Sequence, residues 1–178
     1  MRDSPWPVVP RPFADEAFGS WFGRLALRYR IDVDELATQA DVELDFGRDC
    51  SHWLATPTPT GSSLRRLGVL TRIDREELRL LGGVKERDDT FWFCERCFFL
   101  NPEDVTAPYW KSGWLMKPER KCSTCGRDCA SVSSRVLSRR KNMRSLQHFI
   151  SKRRQRRAEE LARMHPYTRF VRGLNDVY

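Results

Sequence analysis

At 178 residues the chain has room for one domain or two small ones, and no run approaches the roughly 18 apolar residues that a membrane-spanning helix needs. The net charge of +8 is uneven: residues 135–178 hold 13 Arg and Lys against 3 Asp and Glu, whereas the first 134 hold 19 against 21. Such a chain is a near-neutral body with a strongly basic arm, an asymmetry that points to an electrostatic arm more than to a uniformly basic fold.

Residues 1–13 form an extended, Pro-rich segment, because prolines at 5, 7, 10 and 12 fix φ and remove backbone donors. Trp6, Val8, Val9 and Phe13 are its apolar anchors. They serve either to strap the segment to the body or to dock a pre-ordered peptide on a partner.

A helical, helix-turn-helix-like domain is expected over 14–89. Ala17, Phe18, Trp21, Phe22, Leu25, Ala26 and Tyr29 recur at helical spacing and predict a helix over 15–30. Asp15 and Glu16 would favour its N-terminus and Arg28 and Arg30 its C-terminus. The run Arg30-Ile31-Asp32-Val33-Asp34-Glu35-Leu36 resembles Arg72-Ile73-Asp74-Arg75-Glu76-Glu77-Leu78, 42 residues on. In both, Asp is placed to cap a short helix with Glu at N3, and Ile and Leu are placed to staple it. A loop over 55–61 and a helix over about 62–71 separate the copies, so the pattern is helix, tight turn, capped helix, written twice. Trp53 and Leu54 read as core, Arg65 and Arg66 as solvated or phosphate-facing, and His52 as structural or solvent-facing.

A zinc-ribbon domain is expected over 90–130. Cys94-x-x-Cys97 and Cys122-x-x-Cys125 are two matched knuckles that can close a tetrahedron of thiolates around one structural zinc. A redox pair would need a surrounding βαβ pattern, and a disulfide framework suits a secreted chain better than this one, whose opening has no apolar signal run. Arg96, Lys121 and Arg127 would favour the thiolate forms. Cys50 and Cys129 stand outside the pairs, Cys129 being the one alternative ligand. Thr90–Phe93 reads as a strand packing on the site, and the aromatics at 98, 99, 109, 110 and 114 as its small core. Four cysteines leave no open metal position, the three histidines (His52, His148 and His165) fall outside ligand spacing, and no nucleotide-binding or hydrolase motif occurs. No catalytic residue and no small-molecule substrate are therefore expected.

Residues 131–165 read as a basic helix and 166–178 as a flexible tail. Arg139, Arg140, Lys141, Arg144, Lys152, Arg153, Arg154, Arg156 and Arg157 surround a loose stripe of Val136, Met143, Leu146, Phe149 and Ile150. A helix of this kind holds phosphates without sequence preference, unless its stripe simply docks on the body.

Two stretches resemble a known family. Pro10-Arg-Pro-Phe-Ala-Asp-Glu16, followed by Ser20-Trp21-Phe-Gly-Arg24-Leu-Ala26, resembles the opening of TniQ proteins. Cys94 and Cys97, then Ala107-Pro108-Tyr109 and Trp114, then Cys122-x-x-Cys125-Gly126, resemble the TniQ zinc finger. Ala17 stands where the family motif has Ser, Cys125 where its finger commonly has His, and the chain is a short form. The resemblance covers about residues 8–126. It implies a bacterial, cytoplasmic, non-enzymatic target-selection adaptor for transposition, working with an AAA+ ATPase regulator and a transposase. In RNA-guided systems such adaptors link a CRISPR effector with its guide RNA to the ATPase. Trp6, Phe13, Trp21 and Arg24 are the expected partner contacts, and the arm would hold DNA or RNA. The alternative is a stand-alone, zinc-containing DNA-binding regulator.

Overall fold

The computed structural model describes residues 4–44, 53–82, 90–100, 108–116 and 120–164. Cys50, His52, His165 and the tail after 165 lie outside the described residues. Eight helices and two strands are numbered here in chain order: α1 Phe18–Tyr29, α2 Val33–Ala40, α3 Gly61–Thr71, α4 Arg75–Leu80, β1 Thr90–Phe93, α5 Glu95–Leu100, α6 Gly113–Met116, β2 Ala130–Ser133, α7 Ser134–Leu137 and α8 Met143–Met164. The protein is mainly helical. Among the described residues, a turn of 3-10 helix, Trp53–Ala55, and one two-stranded antiparallel sheet, β1 with β2, accompany the helices. One apolar core runs through the helices, the cysteine module and α8.

α1 is the centre of that core, with every residue from Phe18 to Ala26 buried. It starts later than the apolar period predicts, at Phe18 rather than Asp15, because residues 15–17 are committed elsewhere. Ala17 N–H donates to the Trp110 carbonyl at 2.9 Å and Phe18 N–H to the Gly82 carbonyl at 3.0 Å. Neighbouring carbonyls thus satisfy the first helical donors, and the capping residue Ala17 needs no side-chain oxygen. Asp15 and Glu16 are not simple dipole partners. Asp15 pairs with Lys111 at 2.7 Å and accepts from the Tyr109 hydroxyl at 2.7 Å.

Glu16 is fully buried. Its Oε1 accepts from Arg24 Nε at 2.9 Å and Ser20 Oγ at 2.8 Å, and its Oε2 accepts from Arg24 Nη2 at 2.7 Å and Phe13 N–H at 3.2 Å. Burial pushes this carboxyl upward, opposed by the guanidinium, the hydroxyl and the amide. Ser20 Oγ accepts in turn from Trp110 N–H at 2.7 Å, which ties the network to the cysteine module.

The Pro-rich segment folds back as a strap. It both accepts and donates: Pro10 carbonyl accepts from Trp21 Nε1 at 2.8 Å, Arg11 carbonyl from Arg24 Nη2 at 2.8 Å and Val8 carbonyl from Tyr29 hydroxyl at 2.9 Å, while Trp6 N–H donates to the Leu70 carbonyl at 2.7 Å. Trp6 packs against Tyr29, and Phe13 lies between the Arg24 guanidinium and the Tyr109 ring.

Both copies of the Arg-Ile-Asp repeat turn the chain alike. Arg30 and Arg72 end α1 and α3 in left-handed backbone, at φ 60° and 56°. Ile73 and Leu78 are buried as staples, as is Leu36, while Ile31 packs against the core. The caps then diverge. Asp74 accepts from Glu76 N–H at 2.7 Å, at N2 rather than N3. Asp32 sits at the cap of α2 but gives its carboxylate to Asn142 Nδ2 at 2.9 Å. Asn142 itself caps α8, accepting from Ser145 N–H at 3.0 Å.

α1 also presses on the 3-10 turn. A Cβ at Gly19 would lie 2.2 Å from the Trp53 carbonyl oxygen, and one at Gly23 2.4 Å from the Trp53 ring. The helix expected from residue 131 is interrupted. Ala130–Ser133 alternates buried and open positions and pairs with β1, and α8 starts only at Met143.

Arg24→Met leaves the Glu16 carboxylate buried without its cation, and is expected to cost about 3–5 kcal/mol in urea unfolding. For Asp15, partial burial raises the pKa, but the Lys111 and Tyr109 bonds and its own backbone outweigh that and lower it. Its contribution is therefore present above the unfolded value and lost as pH falls through the folded one. Asp15→Asn is expected to lower the thermal midpoint at neutral pH, with the gap to wild type closing below about pH 4.

Candidate metal centre and basic surface

The two knuckles reach one point because the sheet carries them there. Cys94 directly follows β1, whose Phe93 pairs with Ala130 of β2, and the second knuckle closes just before that strand. The first knuckle runs into α5, where Phe98 N–H donates to the Cys94 carbonyl at 2.9 Å. The second is a tight hairpin. Gly126 N–H donates to the Cys122 carbonyl and Cys122 N–H to the Arg127 carbonyl, both at 2.8 Å, and Gly126 takes φ 69°, which glycine adopts without strain.

The Sγ atoms of Cys94, Cys97, Cys122 and Cys125 all lie within 4.8 Å of one another. Across the knuckles, Cys94 to Cys125 is 3.5 Å and Cys97 to Cys122 is 3.7 Å. A tetrahedral ion about 2.3 Å from each sulfur needs sulfurs about 3.8 Å apart, so the quartet fits a metal ion. A disulfide needs about 2.05 Å, and all four cysteines are free thiols. Burial pushes the Cys94 and Cys97 thiols up, whereas the Arg127 backbone N–H and the neighbouring thiols draw Cys125 down to about 7. Cys129, half-exposed, lies outside the quartet, so Cys125 supplies the fourth sulfur.

Aromatic side chains wall the site. Trp110 is fully buried and meets Phe93 at 4.8 Å, Trp114 at 5.6 Å and Phe98 at 6.0 Å between ring centroids. They are core rather than a base-stacking surface. Trp21 and Arg24, expected as partner contacts, are buried, at 0% and 3% exposure, and offer no surface. They hold the strap instead. Trp6 and Phe13 are half-buried and keep an open edge.

The basic residues divide. Arg139, Lys141, Arg144, Lys152, Arg154, Arg156 and Arg157 are exposed. Arg140 and Arg153 are half-buried and in part structural. The Arg140 guanidinium covers the Phe149 ring, 4.7 Å from its centroid, and Arg153 donates to the Ser131 carbonyl. The apolar stripe of α8, with Met143, Leu146 and Ile150 buried, docks on α1, so the arm is part of the folded body through its first half. Sequence reasoning missed the strand partner and the break before α8. Alternation in Ala130–Ser133 and the Asn142-x-x-Ser145 capping pattern were the available signals.

Metal analysis is expected to find one ion per chain. Cys129→Ser should keep it, Cys122→Ser should lose it, and chelation should lower the thermal midpoint steeply, because the ion supplies folding free energy to a module with little core.

No helix among the described residues is long and apolar enough to cross a membrane. Compared with protein-family models and with curated proteins, the chain matches none.

Proposed function

We propose that the chain is a non-enzymatic target-selection adaptor for DNA transposition. It would link a target-bound nucleoprotein complex, such as a CRISPR effector with its guide RNA, to an AAA+ ATPase regulator. The observation that carries this reading is that the two stretches resembling TniQ proteins pack on each other. Ser20 accepts from Trp110 N–H at 2.7 Å, Asp15 from the Tyr109 hydroxyl at 2.7 Å, and Ala17 donates to the Trp110 carbonyl at 2.9 Å. A likeness spread over two distant stretches gains weight when both belong to one packed unit. Glu16, Ser20, Trp21 and Arg24, the residues that carry its first half, form the central buried network.

The metal we assign is zinc, since four thiolates in tetrahedral array suit it and leave no ligand position for chemistry. The strap, with the open edges of Trp6 and Phe13, is the assigned partner face. The exposed cations of α8 hold DNA or guide RNA by their phosphates, which positions the complex without reading sequence.

With ATP and DNA, the metal-loaded protein is expected to co-sediment with the AAA+ regulator of its own element. Alone at physiological salt, it should bind DNA no tighter than about 1 µM, without sequence preference. Nanomolar, sequence-specific binding by the protein alone would replace this reading with that of a stand-alone DNA-binding regulator.

A further inference from the structure

The body-facing side of α8 is set by Met143, Leu146 and Ile150. Continued at helical spacing, the same stripe reaches Arg153, Arg154 and Arg157. A face that is core for two turns becomes cationic over the next two, and it still lies against the cysteine module. Arg153 donates to the Ser131 carbonyl of β2, and the Arg154 guanidinium covers the Phe99 ring of α5, 5.6 Å from its centroid.

The cysteine module presents cations of its own there. Arg96, Lys121 and Arg127 line, together with Arg154 and Arg157, an open cleft of about 650 Å3 beside Cys94. Two carboxylates share it, Glu95 and Asp128, and Asp128 is engaged by Lys121 at 3.4 Å. A second cleft, of about 700 Å3, follows the flank of α8 and holds Lys152, Arg153 and Arg156 against Glu160. Arg157 lines both, so the cationic surface is continuous across the outer half of the helix.

Like charges gathered on two sides of one cleft repel, at a cost to the fold that carries them. A row of phosphates removes that repulsion. Four of the five cations in the first cleft are Arg, whose planar fork suits phosphate oxygens. We infer that the metal module and α8 together form one phosphodiester-binding cleft, in which Arg96, Lys121 and Arg127 contact a sugar–phosphate backbone alongside Arg154 and Arg157. This rests on the nucleic-acid contact proposed above and extends it: the metal module is one wall of the nucleic-acid surface as well as a clip.

The test titrates the metal-loaded full chain against a short random-sequence DNA duplex between about 50 and 200 mM salt, read by fluorescence anisotropy. Arg96→Ala/Lys121→Ala/Arg127→Ala is expected to bind at least about tenfold more weakly, with a salt slope smaller by about 2 to 3. Its metal content is measured alongside, because the three cations flank the ligating cysteines, and where the metal is kept its thermal midpoint should be equal or higher, because repulsion is relieved. Arg139→Ala/Arg144→Ala, outside both clefts, should change binding less. If the triple variant loses its metal, Arg96→Gln alone gives the same reading as a slope reduced by about one. RNA of equal length, run in parallel, identifies which backbone the cleft prefers. A triple variant with wild-type affinity and slope would overturn the inference. So would one that keeps DNA binding but loses the ATPase regulator, which would assign the cleft to an acidic protein surface. Absence of salt-dependent binding by the wild-type chain would overturn the nucleic-acid contact itself, and the cleft with it.

Discussion

The bidentate ion pair between Glu16 and Arg24 is the constraint on which the rest of the structure depends. Two charges buried at the head of α1 are tolerable only if every remaining lone pair and proton finds a partner. Here the partners come from three separate parts of the chain. Phe13 and Arg11 belong to the strap, Ser20 to α1, and through Ser20 the network reaches Trp110 beside the metal module. One buried pair therefore fixes where the N-terminal segment lies and how the module seats on the helix. Desolvation offsets much of the attraction in a buried pair of this kind, whereas separating the partners leaves a charge buried and uncompensated, so any arrangement that pulls them apart is costly.

The metal centre answers a different problem. Four-residue strands and helices of four to six residues cannot hold a module together by burial alone. The β1–β2 ladder sets the two knuckles side by side, and an ion would lock them at the end where the sheet stops. The aromatic cluster around Trp110 fills what little core remains and joins it to that of α1.

Charge is the third organising term. α8 is attached by its first two turns and by Asn142, which bonds to Asp32 and caps the helix at once. Beyond Ile150 the helix no longer buries apolar side chains, and its arginines lie along the metal module. The basic stretch is thus neither a free arm nor an ordinary surface helix. Its attachment fixes the direction in which its cations point.

Much of this was legible in the residues. Two C-x-x-C pairs define a metal quartet by spacing alone, because each knuckle is local and the chemistry of four thiolates admits few alternatives. The apolar period of α1 and the repeated Arg-Ile-Asp turn were legible for the same reason, since they are set by neighbours within one or two helical turns. Residues whose role depends on distant partners were not. Trp21 and Arg24 read as contacts because they belong to a recognisable motif, and only the fold shows that strap carbonyls and Glu16 occupy them. Asp32 and Asp74 are the same residue in the same local sequence, yet one caps its helix and the other bonds to Asn142, 110 residues away. The sequence by itself determined the first helices, the repeated turn and the candidate ligands, whose causes are local. The tertiary structure alone decided which polar groups face inward, that Cys125 rather than Cys129 completes the quartet, and that the basic helix lies against the metal module, because each depends on groups that only the packed chain brings together.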